Sequence, residues 1–129
     1  MKVWVNGTFD VLNIGHIHLL EYAKSFGYLV VGLDTDERVQ ELKGLTRPFN
    51  PLDRRLKIMS SIKFVDEVVT FASDEELINH IATIKPDIMV IGDDYKNKKI
   101  IGQEFVKKVV FFEKTPNIST TKILNNNKN

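Results

Sequence analysis

The chain contains no cysteine, which excludes disulfides and thiol catalysis and leaves the redox compartment open. It has no excess of one charge: 18 Lys and Arg stand against 17 Asp and Glu, a formal net charge of +1. A nonspecific nucleic-acid binder is usually strongly basic, so nucleic acid is not an expected partner. No uninterrupted apolar run approaches membrane-spanning length, and the first residues pattern as a strand rather than a signal peptide. No membrane partner is therefore expected, and a cytoplasmic location is the default expectation. Internal repeats and a domain linker are also missing. What remains is 129 residues, 43% hydrophobic and 27% charged, an ordinary composition for one globular domain over residues 1–129. The polar tail Asn125–Asn129 is expected to fray.

The most informative segment lies near the start. Val3 to Val5 read as an apolar strand, Asn6-Gly7-Thr8 as a turn, and Asn13-Ile14-Gly15-His16 as the opening of a helix whose apolar positions are Ile17, Leu19, Leu20 and Ala23. A strand that feeds a glycine turn and then a helix gathers backbone N–H groups and the positive end of a helix dipole at one point, which is a site for phosphate. Gly7 and Gly15 let the main chain approach a ligand, and His16 sits where an imidazole meets an oxyanion.

Strand-like and helix-like segments alternate along the rest. Val3–Asn6, Tyr28–Asp34, Glu67–Phe71, Ile88–Ile91 and Val109–Phe112 are the expected strands. Helices are expected over His16–Phe26, from Thr35-Asp36, over Asp53–Ile62 with Pro51 in the first turn, and over Asp74–Ile84 with Pro86 marking the stop. Valine- and isoleucine-rich runs separated by helices predict an α/β fold: a single Rossmann-like domain with a parallel sheet, helices on both faces and the site at the strands' carboxyl ends.

The string Gly7-Thr8-Phe9-Asp10, continued by Leu12 and Gly15-His16, resembles the signature G-x-F-D-x-x-H-x-G-H of the cytidylyltransferase-like nucleotidyltransferases. Leu42-Lys43-Gly44, Arg47-Pro48, Asn50-Pro51, Arg54-Arg55, Lys85-Pro86-Asp87, Gly92-Asp93-Asp94-Tyr95, Ile101-Gly102-Gln103-Glu104 and Ser119-Thr120-Thr121-Lys122-Ile123 resemble the heptose-phosphate adenylyltransferase branch. Glycerol-3-phosphate cytidylyltransferase shares the first and last of these motifs and the Val65-Asp66 region, and less of the middle. The resemblance therefore leans towards adenylyl transfer and leaves cytidylyl transfer open.

The resemblance implies roles residue by residue. His16 would stabilise charge on the α-phosphate as pyrophosphate leaves; a plain helix-capping histidine is the alternative. Asn13 stands where the family usually has a histidine that contacts the outgoing phosphates. It keeps a hydrogen-bond donor but cannot become positive, so a homologue with little or no turnover is the competing reading. Pantetheine-phosphate adenylyltransferases carry threonine at that place, which suggests that a polar donor suffices. His18, two residues past His16, should point to another helix face as a surface or packing residue.

Gly7, Thr8, Phe9, Gly15, Gly92 and Asp94 would bind the nucleotide, as would Ser119, Thr120 and Thr121, which capping of a final helix also explains. Asn117 replaces the glycine that normally precedes them. Asp10 would position the acceptor, with a turn acid as the bland alternative. Lys43 and Arg55 map onto phosphate-binding positions, with Arg47 beside them in a breaker-rich loop long enough to act as a lid. Arg54 reads as surface. Lys63 and Lys114 stand where the cytidylyltransferase branch has arginines; both keep the charge and lose the bidentate fork. Asp93 and Asp94 could bind Mg²⁺, but family precedent puts the ion on the triphosphate.

The leading reading is thus an enzyme that joins ATP or CTP to a phosphorylated sugar or polyol, heptose 1-phosphate-like or glycerol 3-phosphate, and releases pyrophosphate. A nucleotide-binding module without turnover is the second. An aminoacyl-tRNA-synthetase-like fragment, which shares the glycine-histidine motif, is disfavoured by the balanced charge. A homodimer is expected from the family. Phe64-Val65 and Phe111-Phe112 would offer it apolar surface, although core packing explains those residues equally well.

Overall fold

Alternate residues of the central strands enter two different cores, and that alternation sets the architecture. The computed structural model describes residues 1–92 and 100–113. On β1 (Lys2–Gly7), Val3 and Val5 face one core while Trp4 faces the other. On β2 (Tyr28–Asp34), Leu29, Val31 and Leu33 face the first and Val30 the second; on β4 (Ile88–Gly92), Ile88 and Val90 part from Met89 in the same way. Such strands are apolar throughout because both faces are covered. Leu20 and Ala23 of α1 (Ile14–Lys24) and Met59 of α3 (Leu52–Ser60) close the first core. Leu77 and Ile81 of α4 (Asp74–Ile84) close the second, with Phe71 of β3 (Glu67–Phe71).

The sheet is wholly parallel, in the order β3-β2-β1-β4-β5, with β5 spanning Lys108–Phe112. The chain winds outward from β1 to β2 and β3, then returns to lay β4 against the other side of β1. The order reverses between β1 and β4, the place where open α/β sheets hold ligands. The expected Rossmann-like single-sheet fold is therefore the one found. Within the described residues no helix is long and apolar enough to cross a membrane.

Element boundaries shift for identifiable reasons. Helix α1 starts at Ile14, ahead of the expected His16, because Asn13 caps it; it ends at Lys24, two residues before the expected Phe26. Pro51 is the N-cap of α3 rather than a first-turn residue, and Thr35 caps α2 (Asp36–Lys43) through its hydroxyl. Strands β2 and β3 and helix α4 keep the expected bounds. The final-helix, fraying-tail and Lys114 expectations lie outside the described residues, as do Asp93, Asp94, Asn117, Ser119, Thr120 and Thr121. Phe64, Val65 and Phe112 pack against the first core, which is the core-packing role rather than an uncommitted apolar surface.

Two carboxylates stitch the amino edge of the sheet. Asp66 accepts the Leu29 N–H at 2.8 Å and the Lys24 ammonium at 2.6 Å. Asp87 accepts the Lys2 N–H at 2.8 Å and pairs with Lys107 at 3.2 Å. Lys63 belongs to this same edge: the α3–β3 connection enters β3 from its amino end, and the Lys63 ammonium lies 5.2 Å from the centre of the Phe64 ring. A parallel sheet puts that connection on the side opposite the chain's own ligand crevice, so the structure does not bring Lys63, expected from its place in the cytidylyltransferase branch to bind substrate, together with the Gly7–His16 turn.

Gly32 in the middle of β2 is fixed by packing. A Cβ there would stand 2.7 and 2.8 Å from the Trp4 ring and 3.2 Å from Phe71. The indole cannot yield, because it is fully buried and its N–H is held by Asn6 at 2.8 Å. Gly32→Ala is expected to cost about 1–3 kcal/mol, as overpacking of a filled core does. A lowered urea midpoint with unchanged slope is the readout.

Candidate functional site

Strands β1 and β4 are paired only at Val3–Ile88 and Trp4–Met89, whereas β1 and β2 are in register over six pairs. Past Trp4 and Met89 the ladder ends, and the two strands part towards their carboxyl ends. Gly7 and Gly92 close these strands, each three residues beyond the last pair. Among the described residues, a Cβ at Gly92 would meet nothing within 4 Å. A Cβ at Gly7 would come within 3.1 Å of the Phe9 ring. Both strands thus end in a residue with no side chain, which suits close approach of a ligand, and the Phe9 ring lies against the Gly7 end.

The turn out of β1 is unusual at Phe9, whose φ of 48° lies in the left-handed region. Non-glycine residues there are uncommon and concentrate at functional turns. The Phe9 ring lies edge-on to the His16 imidazole, with centroids 5.4 Å apart and planes 70° apart. Asn13 and His16 then cap α1 reciprocally. The Asn13 side-chain oxygen accepts the His16 N–H at 3.1 Å, and His16 Nδ1 accepts the Asn13 N–H at 3.1 Å. Gly15 sits in the first turn, which carries no acid, so the positive pole of the helix is not neutralised from within it. The side-chain oxygen of Asn13 is engaged in starting the helix, whereas the group expected to contact outgoing phosphates is its amide donor. His16 is both a cap and a ring packed on Phe9, in the turn that leaves β1.

Arg55 is placed differently from expectation. It is buried, and four of its N–H groups are committed inside the protein: to the carbonyls of Asn50 (2.9 Å), Thr8 (3.1 Å) and Asp34 (2.7 Å) and to the carboxylate of Asp36 (2.8 Å). It ties the turn after β1, the end of β2, the start of α2 and the 44–51 loop into one body. A phosphate-contact role for Arg55 is replaced by a positioning role. The pattern of a basic residue beside prolines does not distinguish the two, because only the fold shows which carbonyls converge on it.

Asp10, expected to position the acceptor or to serve as a turn acid, is engaged with the same loop. Its carboxylate accepts the Phe49 and Asn50 N–H groups, each at 2.8 Å, and stands 3.6 Å from Arg47 Nε; its carbonyl accepts from the Asn50 amide. Each oxygen accepts a main-chain N–H, so the acid holds the 44–51 loop against the turn. Burial pushes its pKa up, but the two backbone N–H groups and then the Arg47 and Arg55 charges outweigh that and bring it below the ordinary carboxylate value. A depressed folded-state pKa adds stability that is complete above the unfolded pKa, about 3.9, and is lost as pH falls through the lowered folded value. Asp10→Asn would set an amide NH₂ against a backbone N–H. It is expected to cost about 1–3 kcal/mol at pH 7, with the deficit against the parent shrinking below about pH 4. Urea unfolding of both proteins at pH 7 and pH 3 measures this.

Arg47 is half-exposed at the rim, its guanidinium 4.9 Å from the centre of the Phe49 ring and its buried Nε without a hydrogen bond. Lys43 ends α2 and is exposed. These two cations stand in and beside the loop that Asp10 and Arg55 hold. Two contributors escaped the sequence reading: Asp34, which accepts from Thr8 Oγ1 at 3.2 Å and from Arg38 at 2.9 Å, and Asn50. An acid closing the otherwise apolar run Tyr28–Leu33 was the available signal for the first. Among the described residues no group of three or more His, Cys, Asp or Glu is arranged to hold a metal.

The profile of the cytidylyltransferase-like family matches residues 4–126. The chain is 48% identical over 124 residues to the bifunctional protein HldE of Campylobacter fetus, and 42% identical over 123 residues to that of Helicobacter hepaticus; each match covers 95% of this chain. It spans about a quarter of the length of these relatives, 27% and 25% respectively. A crystal structure of the lipopolysaccharide core biosynthesis protein from Thermoplasma volcanium superposes with a TM-score of 0.74 at 27% identity, covering 89% of this chain and 98% of that one. A protein of unknown function from Archaeoglobus fulgidus superposes with a TM-score of 0.64 at 19% identity, over 89% of this chain and 90% of that one, a likeness of fold alone.

Proposed function

The chain belongs to the cytidylyltransferase-like family, and from that premise we propose that it transfers a nucleotidyl group to a phosphorylated sugar or polyol with release of pyrophosphate. The observation that carries this reading is the crevice where β1 and β4 part, with His16 and the uncompensated amino end of α1 beside it. A triphosphate laid across the Gly7–Phe9 turn would meet that pole. An oxygen of the acceptor phosphate attacks the α-phosphorus in line. The bond from that phosphorus to the bridging oxygen breaks, and pyrophosphate leaves with the electron pair. The attacking phosphate oxygen is already an anion, so no protein base or nucleophile is required. His16 would donate to oxygens on which charge accumulates, and Lys43 and Arg47 would hold the acceptor's phosphate.

Mg²⁺ is proposed to arrive on the triphosphate. The acids nearest the turn, Asp10 and Asp34, are bonded to protein donors and are poor candidates for holding it. ATP is favoured over CTP by the middle motifs that resemble the heptose-phosphate adenylyltransferase branch. A sugar phosphate acceptor also agrees with the name of the Thermoplasma volcanium neighbour. The family resemblance extends the proposal to a homodimer acting in the cytoplasm, where nucleoside triphosphates are supplied.

Pyrophosphate release measured with ATP, CTP or GTP, each with a sugar 1-phosphate or glycerol 3-phosphate and Mg²⁺, tests the reading. Release that needs both substrates, and is fastest with ATP and the sugar 1-phosphate, is expected. Tight nucleotide binding with no release across the panel would favour a binding module without turnover.

A further inference from the structure

We propose that the main-chain N–H of Asn13 fixes the protonation of His16, so that the ring works as a neutral donor through Nε2 and Asn13 acts as a positioning residue. The catalytic part of this rests on the nucleotidyl-transfer reading; the protonation part does not. A backbone N–H has a proton to give and no lone pair to offer, so at 3.1 Å from Nδ1 it can only donate. Nδ1 must then present its lone pair, and in the neutral ring the single proton resides on Nε2. Turning the ring over would put a carbon against the Asn13 N–H and lose the bond. Protonating Nδ1 would set N–H against N–H. The edge of Phe9, 5.4 Å away between centroids, braces the ring from the side.

This gives the asparagine at position 13 a defined purpose. Its side-chain oxygen accepts the His16 N–H while its own N–H orders the His16 ring, so one residue sets both the helix start and the donor. Neither contact needs a positive charge at position 13. A residue that can cap should therefore serve where the family usually has histidine, because the donor aimed at the phosphates is carried by His16.

The test is long-range ¹H–¹⁵N NMR of the imidazoles in the full chain at neutral pH, on the parent and on Asn13→Asp, which keeps both the capping oxygen and the main-chain N–H. His16 is expected to show an unprotonated Nδ1 and a protonated Nε2 in both. A protonated Nδ1, or rapid averaging of the two tautomers, would overturn the proposal. Turnover supplies a second arm. A Gln amide nitrogen reaches the place of Nε2 and an Asn amide nitrogen that of Nδ1, so His16→Gln should retain about 10-fold more kcat than His16→Asn, which loses about 10²-fold or more. Equal loss in both would contradict donation from Nε2. Full activity in both, with the tautomer as expected, would remove His16 from the reaction and leave its protonation as described.

Discussion

Arg55→Met is expected to lower the unfolding free energy by about 3–5 kcal/mol, the usual cost of removing one partner from a buried charged network. Methionine fills much of the volume and supplies none of the donors. The Asp36 carboxylate is about a third exposed and recovers water, whereas the carbonyls of Thr8, Asp34 and Asn50 face the space the guanidinium leaves. Unmet buried acceptors carry the larger share of the cost. Urea unfolding gives the magnitude. Because Arg55 joins the turn after β1 to the 44–51 loop, the proposed activity should fall as well, with a rise in KM for the acceptor that exceeds the change for the nucleotide. Arg55→Lys restores charge but not the fork of donors, and should recover less than half of the lost stability.

His16→Ala should leave stability within about 1 kcal/mol of the parent while kcat falls by about 10²–10³-fold. The stability loss is small because only the His16 half of the reciprocal cap disappears; Asn13 keeps its bond to the backbone N–H of residue 16. The rate loss matches that of removing a single preorganised donor from a developing oxyanion. Pyrophosphate release under saturating substrates, beside an unfolding curve for the same preparation, separates the two effects. A variant that unfolds early and turns over normally would make His16 a cap and nothing more.

Much of the fold was legible because its period-2 and period-3.6 patterns are clean. Tyr28–Asp34 and Glu67–Phe71 are strands whose ends coincide with turn formers, and Asp74–Ile84 is bracketed by a serine cap and a proline. The reciprocal half of the α1 cap was not legible: it depends on the main-chain N–H of Asn13 reaching the His16 imidazole, and no residue-type pattern reports that. For the site, the strand–turn–helix segment containing Gly7, Gly15 and His16 was readable, since glycine at a strand end and polar caps have few other uses. The fates of Asp10, Arg55 and Lys63 were not. Each is a charged residue near breakers, and what it meets is set by contacts up to 47 positions away in sequence or by which edge of the sheet a connection enters. Sequence spacing carries no information at that range.

The most direct measurement is ¹H–¹⁵N mapping of the isotopically labelled chain during titration with a non-hydrolysable ATP analogue and Mg²⁺. Shifts concentrated at the amides of Gly7, Thr8, Phe9, Gly15, His16 and Gly92, and saturating together, are predicted. A saturable response centred on the opposite edge, around Leu29, Asp66 and Asp87, with those six amides unmoved, would contradict a triphosphate site where β1 and β4 separate.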